Sequence, residues 1–308
     1  MKHVLSVSLG STKRDHVAEA EFLGEPFRLE RKGTDGDLEA AEALIQDYDG
    51  KVEAIGLGGI DIYLVAGPDR YTIRDGLRLQ QAARKTPVVD GSGIKNTLER
   101  DIVRYLATHE PDLVQPAAHV LMVSAFDRFG MAEAFTELGC STVFGDLMFS
   151  GGIPYPITTM AELQEIARKV LPETCKLPFT MLYPTGDQQE RTVSDERFRE
   201  YYDQADIIAG DWHFLRKYMP ESLAGKVVLT NTTTAQDVTL VQSRGVRALI
   251  TTTPEMGGRS FGTNLIEAAI VAVSGQSPDT LAAGGYGEWL RRVDLKPRVT
   301  RFGGTQGV

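Results

Sequence analysis

The spacing of apolar and polar positions changes rhythm part-way along this chain. The first third carries short alternating runs broken by glycine turns. From residue 119 onward, short apolar runs alternate with helix-length segments. Val4-Leu5-Ser6-Val7-Ser8-Leu9 alternates and stops at Gly10-Ser11-Thr12, which predicts a strand entering a tight loop. Phe27-Arg28-Leu29-Glu30-Arg31 alternates at period two after Gly24-Glu25-Pro26, predicting a hairpin over 17–31. Asp37 is placed to cap a helix that carries Leu38, Ala41, Leu44 and Ile45 at helical spacing. A buried strand over 52–57, a ribbon of 62–65 with 70–73, and a helix through Leu98, Ile102, Val103 and Leu106 complete a lobe of mixed sheet. Pro111 and Pro116 interrupt a stretch without periodicity, the expected linker.

The second part predicts strands at 120–124, 142–146, 179–183, 206–210, 227–230 and 248–251. Helices are expected over 130–138, 161–170, 216–218, 235–244 and 265–273. Short apolar strands alternating with helices imply a parallel sheet covered on both faces, with right-handed crossovers. The expected fold is therefore α/β: a mixed-sheet N-terminal lobe over 1–115, followed by a doubly wound, Rossmann-like parallel sheet with a C-terminal tail over 116–308. At 308 residues the chain exceeds the roughly 250–300 at which one core stops growing, in keeping with two domains.

Composition narrows the function classes. A formal charge of −9, with basic residues scattered among acids, argues against a nucleic-acid partner. No apolar run reaches the ~18 residues of a membrane span. The opening residues are too polar for the apolar region of a secretion signal, and two isolated cysteines do not make a disulfide scaffold, so a cytoplasmic location is expected. The five histidines show no paired ligand spacing, and no metal is expected.

In a doubly wound sheet the ligand lies beyond the carboxyl ends of the strands, where strand order reverses. Four loops hold polar residues at such ends. Ser124, Asp127, Arg128 and Gly130 form the turn after the first strand of the second lobe, and Asp146 stands where a dinucleotide fold places its ribose-binding acid, although only one of the usual glycines is present. Thr252, Gly257, Gly258 and Arg259 have the parts of an anion cradle. Asp90 and Lys95 share a glycine-bearing loop and suit proton exchange, and His213 follows a strand expected to be central. Ordinary turns, helix caps and a solvated lysine account for each set equally well on sequence grounds.

The stretches VSVSLGSTKRDH, GLGGIDIYL, TPVVDGSGIKNTLER, VLMVSAFDRFGMAEA, ADIIAGDWHFLRKYMP and TTTPEMGGRSFGTN together resemble a bacterial family labelled quinate 5-dehydrogenase. That resemblance implies an NAD- or NADP-dependent oxidation of a small cyclic hydroxy acid. Lys95, Asp90 and His213 would be the catalytic groups. The cofactor would lie against Ser124, Asp127, Arg128, Gly130, Asp146, Thr252, Gly257, Gly258 and Arg259, and the substrate against Ser6, Ser8, Asp61 and Asn96. Two alternatives stay open: a phosphoryl-handling, ATPase-like enzyme built on the Gly10 and Gly56–Gly59 loops, and a non-catalytic metabolite sensor. The expected partner is a small anionic metabolite, and homo-oligomerisation is left open.

Overall fold

The computed structural model describes residues 1–183, 196–253, 255–256, 259–260 and 262–303, and for 255, 256, 259 and 260 the backbone only. In chain order the elements begin with β1 (Lys2–Ser8), β2 (His16–Phe22), β3 (Glu25–Gly33), α1 (Leu38–Tyr48), β4 (Ala54–Gly58), β5 (Tyr63–Ala66), β6 (Asp69–Thr72), α2 (Arg74–Gln80), β7 (Val88–Val89) and α3 (Ser92–His109). Next come β8 (His119–Met122), α4 (Phe129–Glu137), β9 (Ser141–Phe144), α5 (Asp146–Gly151), α6 (Met160–Thr174), α7 (Phe179–Leu182), α8 (Arg199–Gln204), β10 (Ile207–Ala209) and α9 (Trp212–Tyr218). The chain closes with β11 (Val227–Thr230), α10 (Ala235–Ser243), β12 (Ala248–Thr251), the ribbon β13 (Glu255–Met256) and β14 (Arg259–Ser260), α11 (Thr263–Ser274), α12 (Pro278–Thr280), α13 (Tyr286–Val293) and β15 (Arg298–Arg301).

Two compact units result, each assembled from separated stretches: 1–95, 170–188 and 261–295 in the first, and 96–169, 189–260 and 296–308 in the second. The fold class matches the sequence pattern, an α/β chain whose first unit carries a mixed sheet and whose second carries a doubly wound one.

The first unit's sheet runs β2-β3-β1-β4-β7. Strands β3, β1, β4 and β7 are parallel, and β2 closes the edge as the antiparallel arm of a hairpin. Val4, Leu5, Val7, Ala54, Ile55 and Leu57 are sealed, as expected for central strands covered on both faces. Asp37 caps α1 by accepting from Ala40 N, as its position before an apolar-periodic run predicts. Helix α11 follows β12, the last parallel strand of the second sheet, in sequence, yet it packs on β1, β4 and β7 of the first. The approach is so close that a Cβ at Gly56 would stand 2.7 Å from the Asn264 carbonyl oxygen.

The second unit's sheet runs β15-β12-β11-β10-β8-β9, parallel except for β15. Its core clusters around Trp212, Phe149, Phe198, Leu121, Ile208 and Leu249. In both sheets the first strand of the unit is interior, the next parallel strand lies on one side and the later ones on the other. Strand order thus reverses at β1/β4 and at β8/β10.

Residues 179–183, expected as a strand, instead form the short helix α7. Only Phe179 of that run is buried, with its N–H donating to Asp75 Oδ2 at 2.9 Å, while Met181 is exposed. An apolar run this short carries no periodicity that separates strand from helix, and local anchoring decides.

Gly56→Ala is expected to force β4 and α11 apart and to destabilise the first unit by about 1–3 kcal/mol. Each unit contains one of the two tryptophans, so denaturant unfolding followed on Trp289 in a Trp212→Phe background reads the first unit.

Candidate functional site

In the first unit the carboxyl ends of β1, β4 and β7 carry a sealed polar cluster. Lys95, on the first turn of α3, donates from Nζ to Asp61 Oδ1 at 3.0 Å, and both residues are buried. The other oxygen of Asp61 accepts from the Tyr183 hydroxyl at 3.0 Å. Asp90 ends β7 and gathers three protein donors: Ile62 N at 2.7 Å and Ser92 Oγ at 2.6 Å on Oδ2, and Ser92 N at 3.2 Å on Oδ1. Burial pushes the Asp90 carboxyl above its ordinary range, against the opposing pull of Lys95 and of these donors.

Helix α11 adds Glu267, whose Oε2 accepts from Gly91 N at 2.6 Å. Burial, and then the neighbouring Asp90 charge, push Glu267 up to about 7. Two tyrosines respond to the same charges: Tyr63 and Tyr286 are raised first by burial and then by Glu267. Ser6 and Ser8 lie on β1 beside this cluster. The Ser6 hydroxyl accepts from Asn264 Nδ2 at 2.9 Å, and Ser8 Oγ accepts from Gly10 N at 3.1 Å and Arg31 Nη2 at 3.0 Å.

The second unit answers the same topology with an arginine. Arg128 precedes α4, is sealed, and is paired through Nη1 to Glu99 and through Nη2 to Asp211 Oδ2 at 3.0 Å, with Asp127 at 3.7 Å. Burial would raise Asp211, but the Arg128 and His213 charges and the His213 N–H bond together outweigh it and hold the carboxyl low. Asp211 caps α9 by accepting from His213 N at 2.8 Å, and also accepts from Asn231 Nδ2 at 2.8 Å. Ser124 Oγ in turn accepts from Asp211 N at 3.0 Å. Thr252 is fully buried and donates from its backbone to Thr230 O.

The candidate residues are therefore distributed over both units. Ser6, Ser8, Asp61, Asp90 and Lys95 share the first. Ser124, Asp127, Arg128, Gly130, Asp146, His213 and Thr252 belong to the second. Asn96, grouped by sequence with Ser6 and Ser8, falls in the second unit, where its Oδ1 accepts from Gly130 N at 2.9 Å. Asp146 uses both carboxylate oxygens on the turn after β8, accepting from Ala125 N at 3.0 Å and Phe126 N at 2.8 Å. Gly257, Gly258 and the side chain of Arg259 lie outside the described residues. Among the described residues, no group of His, Cys, Asp and Glu side chains is arranged to hold a metal ion. No helix among them is long and apolar enough to cross a membrane.

A family model described as Domain of unknown function (DUF8754) matches residues 93–302. The chain belongs to that family. A second model, Domain of unknown function (DUF8753), matches residues 3–90. No curated protein matches the sequence. Among solved structures, the chain is similar to an ABC transporter solute-binding protein from Burkholderia multivorans, with 13% identity, coverage of 98% of this chain and 99% of that one, and a TM-score of 0.39. It is similar also to a solute-binding protein from Agrobacterium vitis with bound D-fucose, with 9% identity, coverage of 99% and 96%, and a TM-score of 0.36. A third is the periplasmic binding component of the arabinose transporter of Shewanella sp. ANA-3, with 10% identity, coverage of 95% and 97%, and a TM-score of 0.33.

The matching family models are domains of unknown function, which corrects the expected membership of a quinate 5-dehydrogenase family. The oxidoreductase expectation that rested on that resemblance, and the ATPase-like alternative, find no support in these matches. The cytoplasmic expectation finds no support in these matches, the arabinose-transporter protein being described as a periplasmic component.

Sequence reasoning passed over Glu267, Tyr63, Tyr183 and Tyr286. Glu267 had a signal: it is the only charged residue in the otherwise apolar run of α11, and a lone acid on a buried helix requires a specific partner.

Asp146 offers a test of the second unit. Burial holds its carboxyl at about 6 against an ordinary 3.8, so folding takes up a proton, and this stabilisation is lost as pH rises from about 4 to about 6. Asp146→Asn is expected to remove that slope and, by leaving one of two amide N–H groups without an acceptor, to cost about 1–3 kcal/mol. Unfolding followed on Trp212 in a Trp289→Phe background across that pH range measures both.

Proposed function

We propose that this protein binds a small polar metabolite at the carboxyl ends of β1, β4 and β7, without performing chemistry on it. The observation that supports this reading is the engagement of its candidate acid and base. Lys95 is paired with Asp61 at 3.0 Å, and the Asp90 carboxylate already receives three protein hydrogen bonds. A general base needs a lone pair directed at the substrate, and three of the roughly four lone-pair sites of Asp90 are already taken while Lys95 is turned to Asp61. Groups held rigidly by their neighbours suit recognition, where fixed donors and acceptors set orientation.

Charge selects the ligand class. With Lys95 offset by Asp61 and Arg31 by Asp15, the Asp90–Glu267 pair still carries a negative charge, so the surroundings disfavour an added anion and favour a neutral molecule rich in hydroxyl groups. Carboxylates would accept from its hydroxyls, and Lys95, Ser6 and Ser8 would donate to it. The small anionic metabolite expected from sequence gives way to a neutral one.

Calorimetry of the full chain against neutral monosaccharides, linear polyols and the matching sugar acids is the test. Saturable binding of a neutral member is expected, weakened at least about tenfold by Asp61→Asn, the effect of losing one charged hydrogen bond. Preference for the sugar acids, or absence of heat from every neutral member with the protein folded, would overturn the assignment.

A further inference from the structure

We propose that Asp90 and Glu267 form a proton-operated latch, which clamps the segment 90–93 onto α11 and so governs entry to Lys95 and Asp61. The role given to Lys95 and Asp61 rests on the binding reading above. The latch itself rests on how the segment is held.

Segment 90–93 touches α11 through atoms that admit no side chain. Gly91 has φ of +98°, and a Cβ there would stand 2.4 Å from Thr263 Oγ1 and 2.9 Å from Asn264 N. A Cβ at Gly93 would stand 2.3 Å from Glu267 Oε1 and 2.6 Å from the Tyr286 ring. The segment is therefore seated on the first two turns of the helix, and its two carboxylates fasten it from opposite sides. Glu267 accepts from Gly91 N at 2.6 Å. On the other side Asp90 accepts from Ile62 N at 2.7 Å, and Ser92 Oγ donates to Tyr63 O at 2.8 Å. Lys95 lies on the same first turn of α3 as Ser92 and Gly93, so a shift of 90–93 is transmitted to the Lys95–Asp61 pair.

Two carboxylates so placed cannot both ionise at ordinary cost. Glu267 faces Asp90 from the end of β7, Tyr286 from α13 and Tyr63 from β5, none of which is positive, and Arg70 of β6 lies over the Tyr63 ring at 3.4 Å and acts on that tyrosine. Lys95, from α3, acts on Asp90 and on Tyr63. One proton retained by the pair relieves the repulsion while the segment is down. With the segment lifted, water solvates both charges and the proton leaves readily. Closure thus takes up a proton: it is most favoured in acid and weakens as pH rises towards the value at which Glu267 ionises in the closed form.

Amide hydrogen exchange at Gly91 and Gly93 in the ligand-free full chain, corrected for the base catalysis of exchange, reads the latch directly. The opening equilibrium is expected to rise by up to about tenfold per pH unit between roughly pH 5 and 7 and to level off above, as one-proton linkage requires. Glu267→Gln should be flat across this range. Asp90→Asn should retain a rise that finishes at lower pH, because the neighbouring charge is gone, and this variant decides the matter if Glu267→Gln does not fold. A wild-type opening equilibrium independent of pH, a Glu267→Gln slope equal to wild type, or an Asp90→Asn curve superposable on wild type would each overturn the latch. Since no ligand enters the measurement, a ligand screen that fails leaves this result standing, and the converse holds.

Discussion

A carboxylate taken out of water must find donors, a cation or a proton, and that demand organises the polar ends of both sheets. Parallel strands bring their carboxyl ends to one rim, and strand order reverses beside β1 and β8. Loops diverging there leave room for side chains that a continuous run would have covered. Polar groups gathered at that rim are costly unless satisfied. In the first unit the demand is met by Lys95, by hydroxyls and backbone amides, and by a retained proton. In the second it is met chiefly by the Arg128 guanidinium for Glu99 and Asp211, and by two backbone amides for Asp146.

The two solutions have different consequences. Arg128 presents a planar fork that stays charged at any relevant pH, and it is paired with both Glu99 and Asp211. That arrangement is electrically settled and, with Ser124 and Asn231 bonded to Asp211, it ties the ends of β8, β10 and β11 together. Lys95 is a point charge facing more acid than it can neutralise. The surplus settles on Glu267, deep on α11, where burial and Asp90 raise its carboxyl to about 7. The Arg128 cluster therefore stays ionised at moderate pH, whereas the Asp90–Glu267 pair is poised near neutrality.

Helix α11 shows how connectivity and packing part company. Its sequence follows β12 of the second sheet, but its apolar surface covers β1, β4 and β7 of the first, and Gly56 exists as glycine because the helix backbone lies against it. The acid cluster depends on this crossing. Without α11 over the end of β7, Glu267 would be an exposed and unremarkable acid.

Much of the architecture was legible before any coordinates. Alternation in Val4–Leu9 and the capping residue Asp37 marked β1 and α1, and apolar runs near 120, 143, 207, 228 and 249 marked the strands of the second sheet, because burial on both faces leaves a local signature. Phe179–Tyr183 misled, since so short a run has no period. Asp146 stands 22 residues after Ser124, the spacing of a ribose-binding acid, yet that distance measures only a helix and a strand, and the carboxylate serves two backbone amides instead.

What the chain determined by itself was therefore the sequence of elements, the two parallel-rich sheets and the rim at which chemistry could gather. Only the tertiary structure decided which residues meet there: Asn96 away from Ser6, Tyr183 onto Asp61, and Glu267 beside Asp90 across 177 positions of chain. Periodicity is a local property set by burial, whereas the partner of a buried charge is fixed by contacts between distant segments, about which neighbouring residues in sequence carry no information.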